Sequence, residues 1–148
     1  MSRNIGTLGE EVVIEWLDSK SYRILHHSWH CRWGEIDIVA FDEKSQTIAF
    51  VEVKTRRSSN WDKDGLLAVS EEKQKKLSLS AALFLSKNRI YNDCYIRFDV
   101  ASVLYHKQNM NSSMSNSKLN NPSVKIKNQH CFRMVQYIEN AFDASYDC

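Results

Sequence analysis

Gly34-Glu35-Ile36-Asp37-Ile38-Val39-Ala40 and, ten residues further on, Phe50-Val51-Glu52-Val53-Lys54-Thr55-Arg56 are the two stretches on which the reading of this chain turns. Both alternate apolar and charged residues with period two, the pattern of a half-buried strand. The polar face of the first carries Glu35 and Asp37; that of the second carries Glu52, Lys54 and Arg56. Between Phe41 and Ile48 lie only the six residues Asp42 to Thr47. So short a connection predicts a hairpin, with neighbouring strands roughly 5 Å apart and the charged faces side by side. Three carboxylates, a lysine and an arginine on one small patch have the make-up of a divalent-metal site with its own cations.

Outward from this hairpin the chain alternates helices and strands. Residues 5–19 form a helix pattern, with Leu8, Val12, Val13, Trp16 and Leu17 on one stripe. Glu10 stands at the border of that stripe, where a carboxylate can turn toward the sheet; Glu11 lies nearly opposite it. Gly6 and Gly9 cost helix propensity and point to a close approach of the first turn to another element. Tyr22 to Trp29 is expected as a strand, with Tyr22, Ile24 and His26 on one face. After the charged strands, residues 57–65 are a polar loop of the kind that touches ligands. Residues 70–87 are the longest helix, with Ser70 as N-cap, acids in the first turn, and Leu77, Ala81, Ala82, Phe84 and Leu85 on its apolar side. Tyr95 to Leu104 is a fourth strand, placing Arg97 and Asp99 opposite Ile96, Phe98 and Val100.

Beyond it the composition shifts. Nine of the thirteen residues 109–121 are Asn or Ser, and the only proline, Pro122, follows. Such a segment cannot bury enough apolar surface to offset its ordering, so about 107–123 is a surface loop or flexible insert. Phe132, Val135, Ile138 and Phe142 predict a last short helix, or a strand then a helix. The expected fold is α/β: one domain over residues 1–148, a mixed sheet of about four to five strands flanked by helices.

Length and composition set limits without choosing a function. The chain has 148 residues, 20 basic and 18 acidic, and a formal net charge of +2, so partners must be sought in local patches. Cys31, Cys94, Cys131 and Cys148 contain no Cys-x-x-Cys pair. The start of the chain resembles no secretory signal, and no apolar run is long enough to span a bilayer. A cytoplasmic protein with reduced thiols and no membrane partner is expected. His26, His27, His30 and Cys31 suggest zinc, but adjacent strand residues face opposite ways and no second pair completes a tetrahedral set.

The charged patch supports more definite chemistry. Hard cations such as Mg²⁺ or Mn²⁺ take carboxylate and carbonyl oxygens and assist phosphodiester hydrolysis. The residues assign Asp37 and Glu52 as metal ligands, with the carbonyl of Val53, and Lys54 to water and phosphate. Glu10 completes the shell or holds a second ion, and Arg56 contacts phosphate. Glu35 shares the face of Asp37 and is the reserve ligand. The plain alternative is a solvated sheet face with a cross-strand salt bridge, worth under about 1 kcal/mol.

Asp37 followed by Glu52-Val53-Lys54 on adjacent strands, after a helix bearing Glu10, resembles the core of the PD-(D/E)xK nucleases, including Holliday-junction resolvases and the restriction-endonuclease-like fold. Ile36 stands where the superfamily name has proline. The chain is more similar still to the bacterial YraN-like family, described as endonuclease-like. Its hallmarks are Gly6-x-x-Gly9-Glu10, Gly34-Glu35-Ile36-Asp37, Phe50 to Arg56, Lys73, Arg97-Phe98-Asp99-Val100 and Ile138-Glu139-Asn140-Ala141-Phe142. The resemblance implies a metal-dependent endonuclease of that type using Asp37, Glu52 and Lys54, with Asp37, Glu52 and Glu10 holding Mg²⁺ or Mn²⁺. Arg56 and Lys73 are then nucleic-acid contacts, with DNA, branched DNA included, a better expectation than structured RNA. A homodimer would suit a two-fold substrate. The alternative on the same fold is a catalytically silent module that binds nucleic acid or a protein.

Overall fold

A computed structural model describes residues 4–58, 69–107, 121–127 and 129–145. The elements in chain order are α1 (Ile5–Ser19), β1 (Arg23–Cys31), β2 (Gly34–Asp42), β3 (Thr47–Arg57), α2 (Glu71–Lys87), β4 (Tyr95–Lys107), β5 (Val124–Lys127) and β6 (His130–Phe142). The strands form one mixed sheet in the order β1-β2-β3-β4-β6-β5, in which only β3 and β4 run parallel. The α/β class and the mixed sheet are as expected, but the sheet has six strands rather than four or five.

Each face of the sheet has its own core. On one face α1 lays Leu8, Val12, Val13 and Leu17 over Ile38, Ala40, Ala49, Val51, Ala101, Val103 and Phe132. On the other, α2 lays Leu77, Ala81 and Phe84 over Val39, Phe41, Ile48, Phe50 and Phe98. Both faces of β2 and β3 are therefore apolar from Ile38 to Val51, as strands covered on both sides require. Charge is tolerated only at their ends. Ser70 caps α2 by accepting from the Lys73 N–H at 3.1 Å, as its sequence predicts. Ala82, placed on the buried stripe by its sequence, is exposed.

The C-terminal segment corrects the helical expectation: β6 is one long strand antiparallel to β4. Its pairing slips at Ser102/Val103 and again at Phe98/Val100, and Asn140 has φ of 53°. Extra residues at bulges stretch the apolar spacing of a strand from two toward three or four, and so imitate a helix. A bulge also corrects β1. Its register shifts between Ile24 and His26, which exchanges the faces of His26 and His27. His26 therefore leaves the face of Tyr22 and Ile24 and meets the Phe84 ring edge-on at 5.5 Å.

Most of the Asn/Ser-rich segment, Trp61 and most of the 57–65 loop lie outside the described residues, as does Cys148. Among the described residues the cysteines are free, and no helix is long and apolar enough to cross a membrane.

Candidate functional site

The β2–β3 ladder ends at the pair Ile38–Val51. Past that point the two strands part, and the chemistry sits in the fork. Ile38 packs on the α1 face while Ile36 packs on the α2 face, so β2 rolls over at Asp37 between them. Ser28 opposite, with φ of 58°, takes up the same roll in β1. Asp37 then fills the gap in the ladder: its Oδ2 accepts the Val53 N–H at 2.8 Å. One carboxylate oxygen thus does the work of a missing strand, because a buried backbone N–H must find a partner.

Four elements deliver the other groups. Glu10 comes from α1. Its turn lies so close to β3 that a Cβ on Gly9 would stand 2.0 Å from Thr55 Oγ1. This is the close approach that the glycine pattern anticipates; Gly6 has ordinary room. Ligand atoms of Glu10, Glu35 and Asp37 all lie within 4.8 Å of one another. Glu52, on the α2 face of β3, has its Oε2 buried with no hydrogen-bond partner among the described residues and its Oε1 3.8 Å from Lys73 Nζ of α2. Lys54 and Arg56 follow Glu52 on the same face. Arg56 is exposed, and its guanidinium donates to the Thr55 carbonyl at 3.0 Å.

The electrostatics are those of too many acids in too dry a place. Burial first, and then the charge of Glu52, pushes the Asp37 carboxyl up to about 8. Burial also raises Glu10, against the pull of His27, and raises Glu52, against the pull of Lys73 and Lys54. Burial and the neighbouring Arg56 lower the Lys54 ammonium, against Glu52. Divergent shifts of this kind in one cleft are what acid–base and metal chemistry use.

The fork brings Glu10 and Asp37 together; Glu52, which the sequence also assigns to the metal, stands outside the group within 4.8 Å but near enough for its charge to act on Asp37, with Lys54 and Lys73 alongside. It also promotes Glu35 from reserve to a member of the tightest acidic group. Sequence reasoning missed His27 and Ser28. His27 Nε2 lies 3.0 Å from Glu10 Oε1, and Ser28 Oγ donates to the same oxygen at 3.3 Å. A period-two count assigns His27 to the wrong face, because the bulge before His26 is invisible to it. No zinc set forms among the described residues: His27 turns to Glu10, His30 toward Glu35 at 3.9 Å, and Cys31 Sγ to Ser80 at 3.2 Å. Trp29 packs edge-on against Phe84 at 5.4 Å, a core role, while Trp33 is exposed beneath Arg32.

Fold and site together define an α/β protein with a carboxylate-rich fork where two antiparallel strands separate, beside a Glu-x-Lys strand. The chain belongs to the uncharacterised protein family UPF0102, the YraN-like family, whose model matches residues 9–103. It is 38% identical to a UPF0102 protein of Acaryochloris marina, over 95% of this chain and 92% of the relative. It is 39% identical to one from Trichormus variabilis, over 97% of each. A third, from Thermosynechococcus vestitus, is 47% identical over 71% of this chain and 84% of its own. The matched region contains the whole fork and ends within β4.

Proposed function

We propose that this chain is a nuclease-like, nucleic-acid-binding protein that hydrolyses phosphodiesters with the help of Mg²⁺ or Mn²⁺. DNA, branched DNA included, is the preferred substrate class, ahead of structured RNA. The observation that carries the proposal is the fork itself. Ligand oxygens of three carboxylates stand within 4.8 Å of one another, and the buried Oε2 of a fourth, Glu52, has no hydrogen-bond partner among the described residues. An all-oxygen donor set fits a hard divalent cation, and a buried carboxylate oxygen without a partner is an acceptor waiting for positive charge.

Asp37, Glu52, Glu10 and Glu35 are the residues that would hold the cation. A divalent ion so bound offsets the carboxylate repulsion, polarises a phosphate and acidifies water. The rest falls to the chain. Asp37 keeps the fork open at a fixed width by spending one oxygen on Val53. Lys54, its Nζ more easily deprotonated than an ordinary lysine, stands where it can orient water and move a proton. Lys73 and Arg56 offset phosphate charge from α2 and from the end of β3. His27 and Ser28 hold Glu10 in position from β1.

The test is incubation of the purified protein with branched, duplex and single-stranded DNA and with RNA, in Mg²⁺, Mn²⁺ or chelator. Cleavage is expected with either cation and not with chelator. Asp37→Ala and Glu52→Ala should each lower it by at least about 100-fold. Cutting that survives in both variants overturns the assignment. Binding of every substrate without cutting supports the silent binding module instead.

A further inference from the structure

The face of β3 that carries Glu52, Lys54 and Arg56 does not end at the fork. Register extends it sideways: Arg56 pairs with Leu104 of β4, Leu104 with Arg133 of β6, and Arg133 with Val124 of β5. These residues form one row across four strands on one side of the sheet. The apolar stripe of α2 covers the other end of this face, over Phe50 and Phe98. Around Leu104 and Arg133 there is instead a cavity of about 330 Å³, whose wall also includes Ser58, His106 and Val124. Arg133 and His106 are exposed, and neither Arg56 nor Arg133 makes an ion pair with a described residue.

At roughly 4.8 Å per strand, the Cα atoms of Arg56 and Arg133 stand roughly 10 Å apart, two long cations flanking an apolar floor. From Glu52 to Arg56 is roughly 13 Å along the strand, the axial rise of about four nucleotides. A backbone whose phosphate enters the fork therefore reaches this row a few nucleotides away without leaving the sheet face. Arginine suits the task, since its planar fork of donors matches phosphate oxygens.

We infer that Arg133, with His106 and Arg56 around the Leu104 cavity, is a second phosphate-binding subsite that holds the nucleic-acid strand beside the fork. The inference rests on the nuclease-like reading. It adds a contact from β6, beyond the matched region of the chain, that neither the family match nor the charged strands contain.

The experiment measures anisotropy of labelled duplex and branched DNA with full-length protein in chelator, over a range of salt. Arg133→Ala should weaken binding roughly three- to tenfold and flatten the salt dependence by about one phosphate contact. Arg133→Glu should weaken it further and Arg133→Lys restore much of it. Each variant should keep the wild-type circular dichroism and melting temperature. Unchanged affinity and salt slope in Arg133→Ala and Arg133→Glu overturn the inference. So does equal loss in Arg133→Lys and Arg133→Ala, which marks a packing role. Absence of DNA binding by the wild type at low salt overturns it as well. Mn²⁺ titration of the same samples reports separately on the fork: uptake by wild type and Arg133→Ala alike leaves the cation reading standing whatever the DNA result.

Discussion

Two clusters of charge sit on this sheet, and they are built on opposite rules. On the α1 face, Asp99 of β4 is completely buried, and every direction around its carboxylate is filled. Arg97 donates to both oxygens at 2.8 Å, Tyr137 donates to Oδ2 at 2.5 Å, and the Asn140 N–H donates to Oδ1 at 2.9 Å. Tyr22 accepts from the same guanidinium at 2.6 Å. Against its burial, bonding to the carboxylate holds Arg97 firmly protonated, and burial beside Asp99 pushes Tyr137 up, so neither of these two exchanges a proton near neutral pH. In the fork, among the described residues, the acids outnumber their partners and one buried oxygen has none, and the carboxyl of Asp37 is held up to about 8. A closed, neutralised cluster joins elements together. An open one with surplus charge stores unfavourable energy that a proton or a bound cation would relieve. The Arg97–Asp99 cluster ties β6 to β4, and the fork is where we propose a cation binds.

The comparison breaks most sharply at Asp99. Asp99→Ala leaves the half-buried Arg97 with only the more distant Glu139, at 3.8 Å, as counterion and the Asn140 N–H without its acceptor. The expected cost is about 3–5 kcal/mol of stability, read by urea or thermal unfolding. Cation affinity of whatever remains folded should be unchanged, because no fork residue touches Asp99. A loss of cation binding at constant fold would show that the clusters are coupled.

Gly9→Ala tests the geometry that brings Glu10 to the fork. The new Cβ would overlap Thr55, so α1 must retreat from β3. Overpacking of this kind costs about 1–3 kcal/mol, partly offset by the better helix propensity of alanine. Unlike Asp99→Ala, it should also weaken Mn²⁺ uptake by calorimetry, since Glu10 rides on the same turn. Wild-type stability and uptake together would show that the close approach has no role.

How much of this was legible beforehand follows the same division. Strands β1 to β4, α1, α2 and its Ser70 cap were readable because hydrophobic period and capping chemistry are local. Asp37, Glu52 and Lys54 were readable because their alternation survives as far as the end of the ladder. What was hidden depends on departures from period two. The bulge after Ile24 moved His26 and His27 to exchanged faces, the roll at Asp37 carried Glu35 into the acidic group, and the slips in β6 disguised a strand as a helix. Arg133 was hidden for another reason: only the strand order places β6 beside the C-terminal end of β4. Register defects and long-range neighbours carry no local signature, yet they position half of this site.

Asp37→Asn gives the smallest change and the one with the most informative sign. Asparagine keeps an oxygen that can accept the Val53 N–H, so the joint between the strands survives. It removes the charge that burial and Glu52 oppose. The folded carboxyl titrates near 8 against about 4 in the unfolded chain, so the folded state holds a proton that the unfolded state releases. Stability from this group is whole below about pH 4 and is lost as pH rises toward 8. Asparagine titrates in neither state. Without cation, Asp37→Asn should therefore match wild type near pH 4 and exceed it at pH 8. Added Mn²⁺ should reverse that order, because a ligand that binds only the folded wild type stabilises it by mass action. Asp37→Ala should be less stable than either at both pH values, having lost the acceptor for Val53. If Asp37→Asn is destabilised at pH 8 without cation, the fork is a satisfied structural cluster like that around Asp99, and the contrast between the two fails.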